Sequence, residues 1–164
     1  MNVIFVEPAF PANQREFVRA LHAVGARVIG IGERPKEALD DELGRWMVHY
    51  EQVGSVVDED ALLRAVRWLQ GKDRMDRLEA VVEAHVMAAA RVREACGIPG
   101  TSVRTTWLCR AKPSMKEVLR AGGVPCARSA AADTPADARA WLERHAETVK
   151  EIDGRRILRL RAPS

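Results

Sequence analysis

Cysteine is scarce in this chain: Cys96, Cys109 and Cys126 are the only three in 164 residues. An odd, widely spaced set with no C-x-x-C pair argues against a disulfide framework and against a thiolate zinc site, and leaves reduced thiols. The four histidines, His22, His49, His85 and His145, never fall at H-x-x-x-H or H-E-x-x-H spacing, so no metal site is expected from them. No apolar run approaches the roughly 20 residues that span a bilayer. The opening MNVIFVEPAFP has neither the basic n-region nor the long apolar h-region of a signal peptide, so the cytoplasm is the expected location. Also missing is a G-x-G-x-x-G fingerprint. The glycines of V-I-G-I-G-E lie after a strand-like run, but no helix opens on them at the required spacing, which argues against a dinucleotide site.

What the chain does have is the profile of a soluble globular protein, with 47% hydrophobic and 30% charged residues. Its length suits one ordinary domain, or one domain with a short appendage. The net charge is +3, yet basic residues mostly alternate with acidic ones, as in REFVRALH and DEDALLRAVR. Only GRRILRLRAPS at the end is a concentrated basic run, which is too little for a nucleic-acid arm.

The first half alternates strand and helix signals. Residues 2–6 (NVIFV) form a short apolar run of strand type. Phe17, Val18, Leu21 and Val24 then recur at helical spacing up to Gly25. RVIGI at 27–31 reads as a second strand, and WMVHYEQV at 46–53 as a third with an edge-like, period-2 pattern. Ala61, Leu62, Ala65, Val66 and Leu69 make one face of a helix behind cap candidates at 55–60. Leu78 to Val82 reads as a fourth strand, and Val86 to Ala95 as a helix stopped by Gly97. Apolar strands alternating with amphipathic helices predict an α/β fold: a Rossmann-like parallel sheet with helices on both faces, joined by right-handed crossovers. A short helical pair should follow, one helix over 112–121 with Met115, Val118 and Leu119 buried. The other opens at Thr134-Pro135, with Ala138, Trp141, Leu142 and His145 on its face.

Ligands of such sheets favour the carboxyl ends of the strands. Those ends carry Glu7, the Gly30–Glu33 stretch and Glu83-Ala84-His85. Glu7 and Glu83 are therefore the candidate substrate-binding residues. Glu83 with His85 could serve as an acid–base pair or simply as caps and polar rim. Lys112 and Lys116, four apart at the start of a helix, read either as a solvated basic face or as a phosphate site.

The segment RAKPSMKEVLRAGGVP (110–125) resembles R-D-K-x-x-M-K-x-x-L-x-x-A-G-[IV]-P of the ATP-grasp enzymes, of the carbamoyl-phosphate synthase and biotin carboxylase type. The upstream ARVREACGIPGTS is similar to the lead-in of that segment. ADARAWLERH is similar to the helix that precedes the first catalytic strand. The resemblance covers about residues 1–148. It implies a pre-ATP-grasp domain over 1–104 and a helical pair over 105–148 leading into an ATP-grasp core. A basic tail over 149–164 could add an edge strand. It further implies ATP and magnesium as cofactors, with Lys112 approaching the nucleotide phosphates as an ammonium at a helix N-terminus. Lys116 reads as structural or surface.

Two departures bear on activity. Ala111 stands where the family has an Asp expected to cap the helix. After residue 145 the text AETVKEIDGRRILRLRAPS supplies neither the G-[YF]-P turn, nor a glycine-rich loop, nor magnesium-binding acids, and Arg159 stands near the place of a second ATP lysine. The expectation is an N-terminal fragment or truncated member of a ligase. The intact enzyme would use Mg-ATP to activate a carboxylate for attack by an amine-type nucleophile, the chain alone being inactive. Its expected partners are a small-molecule substrate or a complementary ATP-grasp chain, and a homodimer is a candidate assembly. The alternative is a non-catalytic α/β binding or oligomerisation module derived from such a domain.

Overall fold

The computed structural model describes residues 1–127, 129–145, 149–152 and 155–158. Two compact units divide the chain, Met1–Trp107 and Leu108–Ser164.

In the first unit, β1 (Asn2–Val6), β2 (Arg27–Gly32), β3 (Met47–Gln52) and β4 (Arg77–Glu79) form one sheet in the order β3-β2-β1-β4. All three pairings are parallel. The helices are α1 (Gln14–Ala23), α2 (Asp41–Trp46), α3 (Glu59–Gln70) and α4 (Val86–Ala95). The period-2 side-chain alternation of β1 splits the core in two. Ile4 and Val6 join Ile29, Ile31, Leu62, Val66, Leu78 and Val92 on the α3/α4 face. Val3 and Phe5 join Val18, Val28, Leu43 and Met47 on the α1/α2 face. Both faces are thus covered, which is why the central strands are apolar without interruption. The α/β expectation holds.

Several local readings shift. The fourth strand stops at Glu79, well short of Val82, because residues 80–85 form a turn leading into α4. In α1 only Gln14 and Val18 are fully buried, while Phe17 and Val24 stay exposed, the latter 79% so. Phe17 instead stacks on Phe5, with ring centroids 6.1 Å apart. α2 was not legible in advance: DELGRW has no apolar stripe, and its start is set by Asp40, whose side chain accepts from the Leu43 amide at 2.9 Å. Helix α1 ends at Gly25, whose φ of 80° suits a residue without a Cβ.

Arg93 of α4 is 5% exposed, yet fully engaged. Its Nε and Nη2 donate to the Leu78 carbonyl at 2.9 and 2.7 Å, and Nη1 donates to the Thr101 carbonyl at 2.6 Å. Glu79 lies 3.6 Å away. This side chain ties the end of β4 to the loop at 100–101.

α5 (Val103–Arg110) runs across the division between units and buries Thr106; the sequence pattern, with its low amphipathicity, did not announce it. In the second unit, α6 spans Lys112–Ala121 and α7 spans Pro135–Arg144. A capping box opens α7: Asp137 N donates to Thr134 Oγ1 at 3.2 Å, and Thr134 N donates to Asp137 Oδ2 at 3.0 Å. Neither α6 nor α7 has a fully buried residue. The expected buried stripe of α6 is therefore corrected: Val118 is exposed, and Met115 and Leu119 are only half-buried. β5 (Val149–Ile152) and β6 (Arg155–Leu158) pair antiparallel in a two-stranded sheet of their own. Arg159 lies outside the described residues.

Candidate functional site

The carboxyl ends of β1 and β2 bring two carboxylates together. Glu7 follows directly on β1, is 5% exposed and adopts φ of 56°, the left-handed region that non-glycine residues rarely occupy. Its amide donates to the Ile31 carbonyl at 2.7 Å, so the backbone is tied to β2 while the side chain turns over the strand end. Glu33 N donates to Glu7 Oε2 at 2.9 Å. Burial pushes the Glu7 carboxyl up; the Glu33 amide opposes this, and the Glu33 negative charge adds to it.

Gly32 is what allows this crowding. A Cβ there would lie 2.6 Å from Tyr50 Oη and 3.3 Å from both Glu7 carboxylate oxygens. Tyr50 donates its hydroxyl to the Arg34 carbonyl at 2.7 Å, and burial, with the Glu7 charge, raises its pKa to about 12. The hydroxyl is a donor at any physiological pH. The Glu33 side chain reaches the other way, accepting from Ser55 Oγ at 3.0 Å and from the Val56 amide at 2.9 Å.

His85 stands at the start of α4 without capping it through its side chain. Its Nδ1 is buried with no hydrogen-bond partner among the described residues, and burial lowers its pKa while the Glu33 charge opposes that. Gln14, at the first turn of α1 and 3% exposed, likewise carries a buried Oε1 with no partner among the described residues. The sequence candidates thus fare differently. Glu7 sits in the strand-end cluster, whereas Glu83 is exposed. Glu33, in a stretch flagged only as a strand end, is the residue whose amide donates to Glu7 and whose carboxylate charge reaches both Glu7 and His85. Tyr50 was not anticipated, since the single tyrosine in an edge strand carries no motif.

In the second unit, Lys112 is the first residue of α6 and is exposed. Ala111 occupies the cap position and makes no side-chain cap bond, and Pro113 follows in the first turn. Lys112, Lys116 and Arg120 line one cavity of about 200 Å³ together with Glu117, Ser129 and Ala131. Arg120 Nη2 donates to Ser129 Oγ at 2.9 Å and to the Ala127 carbonyl at 3.4 Å. The ammonium groups of Lys112 and Lys116 have no ion-pair partner among the described residues. Cationic, uncapped and open, this helix start can accept a phosphate oxygen. For magnesium the donor set does not fit: among the described residues, no group of three or more His, Cys, Asp or Glu side chains could hold a metal ion. Nor is any helix among them long and apolar enough to cross a membrane.

No protein-family model matches the chain. No curated protein matches it either. Solved structures do. Phosphoribosylglycinamide synthetase from Anaerococcus prevotii aligns with a TM-score of 0.64 at 14% identity, over 87% of this chain and 34% of that one. The biotin carboxylase domain of Hydrogenobacter thermophilus 2-oxoglutarate carboxylase, solved as a dimer with MgADP, ADP and bicarbonate, aligns with a TM-score of 0.65 at 15% identity, over 90% of this chain and 33% of that one. L-amino acid ligase from Bacillus licheniformis aligns with a TM-score of 0.58 at 20% identity, over 77% of this chain and 31% of that one. These neighbours are ATP-grasp enzymes, and this chain shares their fold over about a third of their length.

Proposed function

We propose that this chain is the N-terminal portion of an ATP-grasp ligase and works with an ATP-grasp core. The observation that carries this reading is the fold likeness over about a third of each neighbour, joined to a lysine at an uncapped helix start. In the assembled enzyme a substrate carboxylate oxygen would attack the γ-phosphorus of ATP, with ADP leaving. An amine would then displace phosphate from the acyl phosphate. ATP would supply the phosphoryl group. This chain's own part is positional: Lys112 neutralises a phosphate oxygen, and Glu7, backed by Glu33, presents an acceptor group to the strand ends. A buried carboxylate held open by Gly32 suits an amine, because an ammonium both pairs with it and offers the hydrogen bonds it lacks. Magnesium, for which the described residues offer no ligand set, is assigned to that core. The chain alone is inactive in this reading. Its expected setting is the cytoplasm, with the helical-pair region of 105–148 facing the core and a homodimer as the candidate assembly.

The test is calorimetric titration of Mg-ATP into the wild-type chain and into Lys112→Ala. Binding of roughly millimolar strength or tighter that vanishes in the variant supports the reading. Heat of equal size in both, or in neither, removes Lys112 from the nucleotide site.

A further inference from the structure

We propose that the free edge of β3 pairs with the same edge of a second copy of this chain, antiparallel about a twofold axis at Tyr50, so that two four-stranded sheets join into one. This gives a surface to the homodimer of the reading above, and it rests on β3 itself rather than on the chain's activity.

The sheet order β3-β2-β1-β4 leaves two edges, and they are not alike. β4 is three residues long, whereas β3 has six. A very short edge strand is blunted; a longer one is a template for pairing. Val53 N donates to the Gly32 carbonyl at 2.9 Å, so position 53 faces β2, and by alternation positions 51 and 49 face it too. Val48, Tyr50 and Gln52 therefore turn their N–H and C=O groups outward, where no further backbone partner meets them among the described residues. Val48 is 56% exposed, and Trp68, whose ring centroid lies 5.5 Å from that of His49, is 44% exposed. A cavity flanks the edge on each face. One of about 440 Å³ lies on the α2 side against Arg45 and Tyr50, and one of about 190 Å³ on the α3 side against Trp68 and Lys72; Val48 and His49 line both. An added strand sends alternate side chains to opposite faces and needs room on both.

Register and charge select a second copy as the occupant. Outward groups match only where Val48, Tyr50 and Gln52 oppose one another, and more than one such pair forms only with the axis at residue 49, 50 or 51. An axis at 51 sets Glu51 against Glu51 of the second copy. An axis at 49 sets His49 against its own copy and leaves Glu51 facing Met47. With the axis at Tyr50, each His49 faces the Glu51 of the other chain as a close, non-hydrogen-bonded pair, Cα atoms about 4.5 Å apart. The same register makes the most backbone bonds: Tyr50 exchanges both with Tyr50, and Val48 pairs with Gln52 on either side. His49 Nε2 and Glu51 Oε2 already lie 3.2 Å apart on one face, so the seam carries an alternating row of rings and carboxylates. The contact is isologous. It uses each β3 edge once and leaves only the short β4 edges outside, so assembly closes at two.

The experiment is sedimentation velocity on the full chain, loaded from about 1 μM to about 1 mM. The proteins are wild type, His49→Glu, the exchange variant His49→Glu/Glu51→Lys, and Gln52→Pro. Wild type should pass from monomer to dimer over this range. His49→Glu opposes carboxylates on both sides of the axis and should weaken the dimer roughly tenfold or more. The exchange variant restores opposite charges and should recover wild-type affinity to within about threefold. Gln52→Pro removes an outward N–H that the monomer does not use, a place where an edge strand tolerates proline, and should weaken the dimer as well. A wild-type chain that stays monomeric throughout overturns the pairing, whatever other strand this edge accepts. So does a dimer indifferent to both His49→Glu and Gln52→Pro, or a folded exchange variant that associates no better than His49→Glu. Should His49→Glu disturb the fold through the Trp68 contact, visible in its circular dichroism, Gln52→Pro decides alone. The two readings fail separately. The Mg-ATP titration reads Lys112, so its failure leaves the pairing in place, and a monomeric chain withdraws only the homodimer from the ligase reading.

Discussion

Glu7 accepts the backbone amide of Glu33 at 2.9 Å, so two acidic residues from adjacent parallel strands are locked together at the carboxyl edge of the sheet. The contact puts one carboxyl into a buried setting, and its own neighbour supplies a second negative charge. Both effects push the Glu7 pKa above its ordinary 4.5. The protonated form is then favoured by folding. Glu7 contributes most stability below pH 4.5, and that contribution is lost as pH rises through the raised value. His85 has the opposite sign. With its pKa below the ordinary 6.5, the folded chain binds this proton less well than the unfolded chain, so stability rises with pH up to about that value. Glu7→Gln should therefore melt a few degrees higher than wild type at neutral pH and match it near pH 4. Thermal melts of both proteins across that range check this; a gap independent of pH would refute it.

Gly32 and Tyr50 should behave as a coupled pair. Gly32→Ala places a methyl group 2.6 Å from Tyr50 Oη, and overpacking of this kind costs about 1–3 kcal/mol. Tyr50→Phe removes the obstructing atom along with one hydrogen bond to the Arg34 carbonyl, at a cost of about 1 kcal/mol alone. The double variant should be more stable than the sum of the single losses. Urea midpoints for all four proteins give the coupling, and strict additivity would count against the contact.

Arg93 is irreplaceable by lysine. Its guanidinium spans two carbonyls that a single ammonium cannot reach together. Arg93→Lys should lose about 2–4 kcal/mol, read from urea denaturation, and hydrogen exchange should accelerate at the 100–101 loop. A loss under about 0.5 kcal/mol would show that the buried charge is better solvated than its geometry implies.

The missing cap of α6 can be restored. Ala111→Asp would offer a side-chain acceptor to amides that have none at present, and a negative charge to the positive helix end. A gain of about 0.5–1 kcal/mol is expected, seen as a higher melting temperature of the helical signal. The same change should weaken Mg-ATP binding, because the new carboxylate competes for the helix start beside Lys112. If stability rises while binding is untouched, the anion does not lie at the helix start.

Removing the existing cap of α7 gives the complementary measurement. Thr134→Ala removes the Oγ1 that accepts the Asp137 amide while keeping the Thr134 amide bond to Asp137 Oδ2, and should lower the stability of this helix by about 1 kcal/mol, detected in the same melts.

Short-range chemistry is what the sequence by itself determined. The apolar period of β1 and β2, the stops at Gly25 and Gly97, and the Thr134-Pro135 start each depend on a few neighbouring residues, and they were legible. So was the order of elements that yields a parallel sheet with both faces covered. Tertiary structure decided what depends on distance in space. DELGRW became a helix because Asp40 caps it and Leu43 found a core. Met115, Val118 and Leu119 have helical spacing, but the described residues of this unit do not bury them fully, so Val118 stays exposed and the other two half-buried. Glu33 joined Glu7 only once β1 and β2 lay side by side in register, which brings residues 26 apart to hydrogen-bonding distance. Lys112 could be singled out by its motif; that it shares a cavity with Lys116 and Arg120 depends on where Ser129 folds back against the helix.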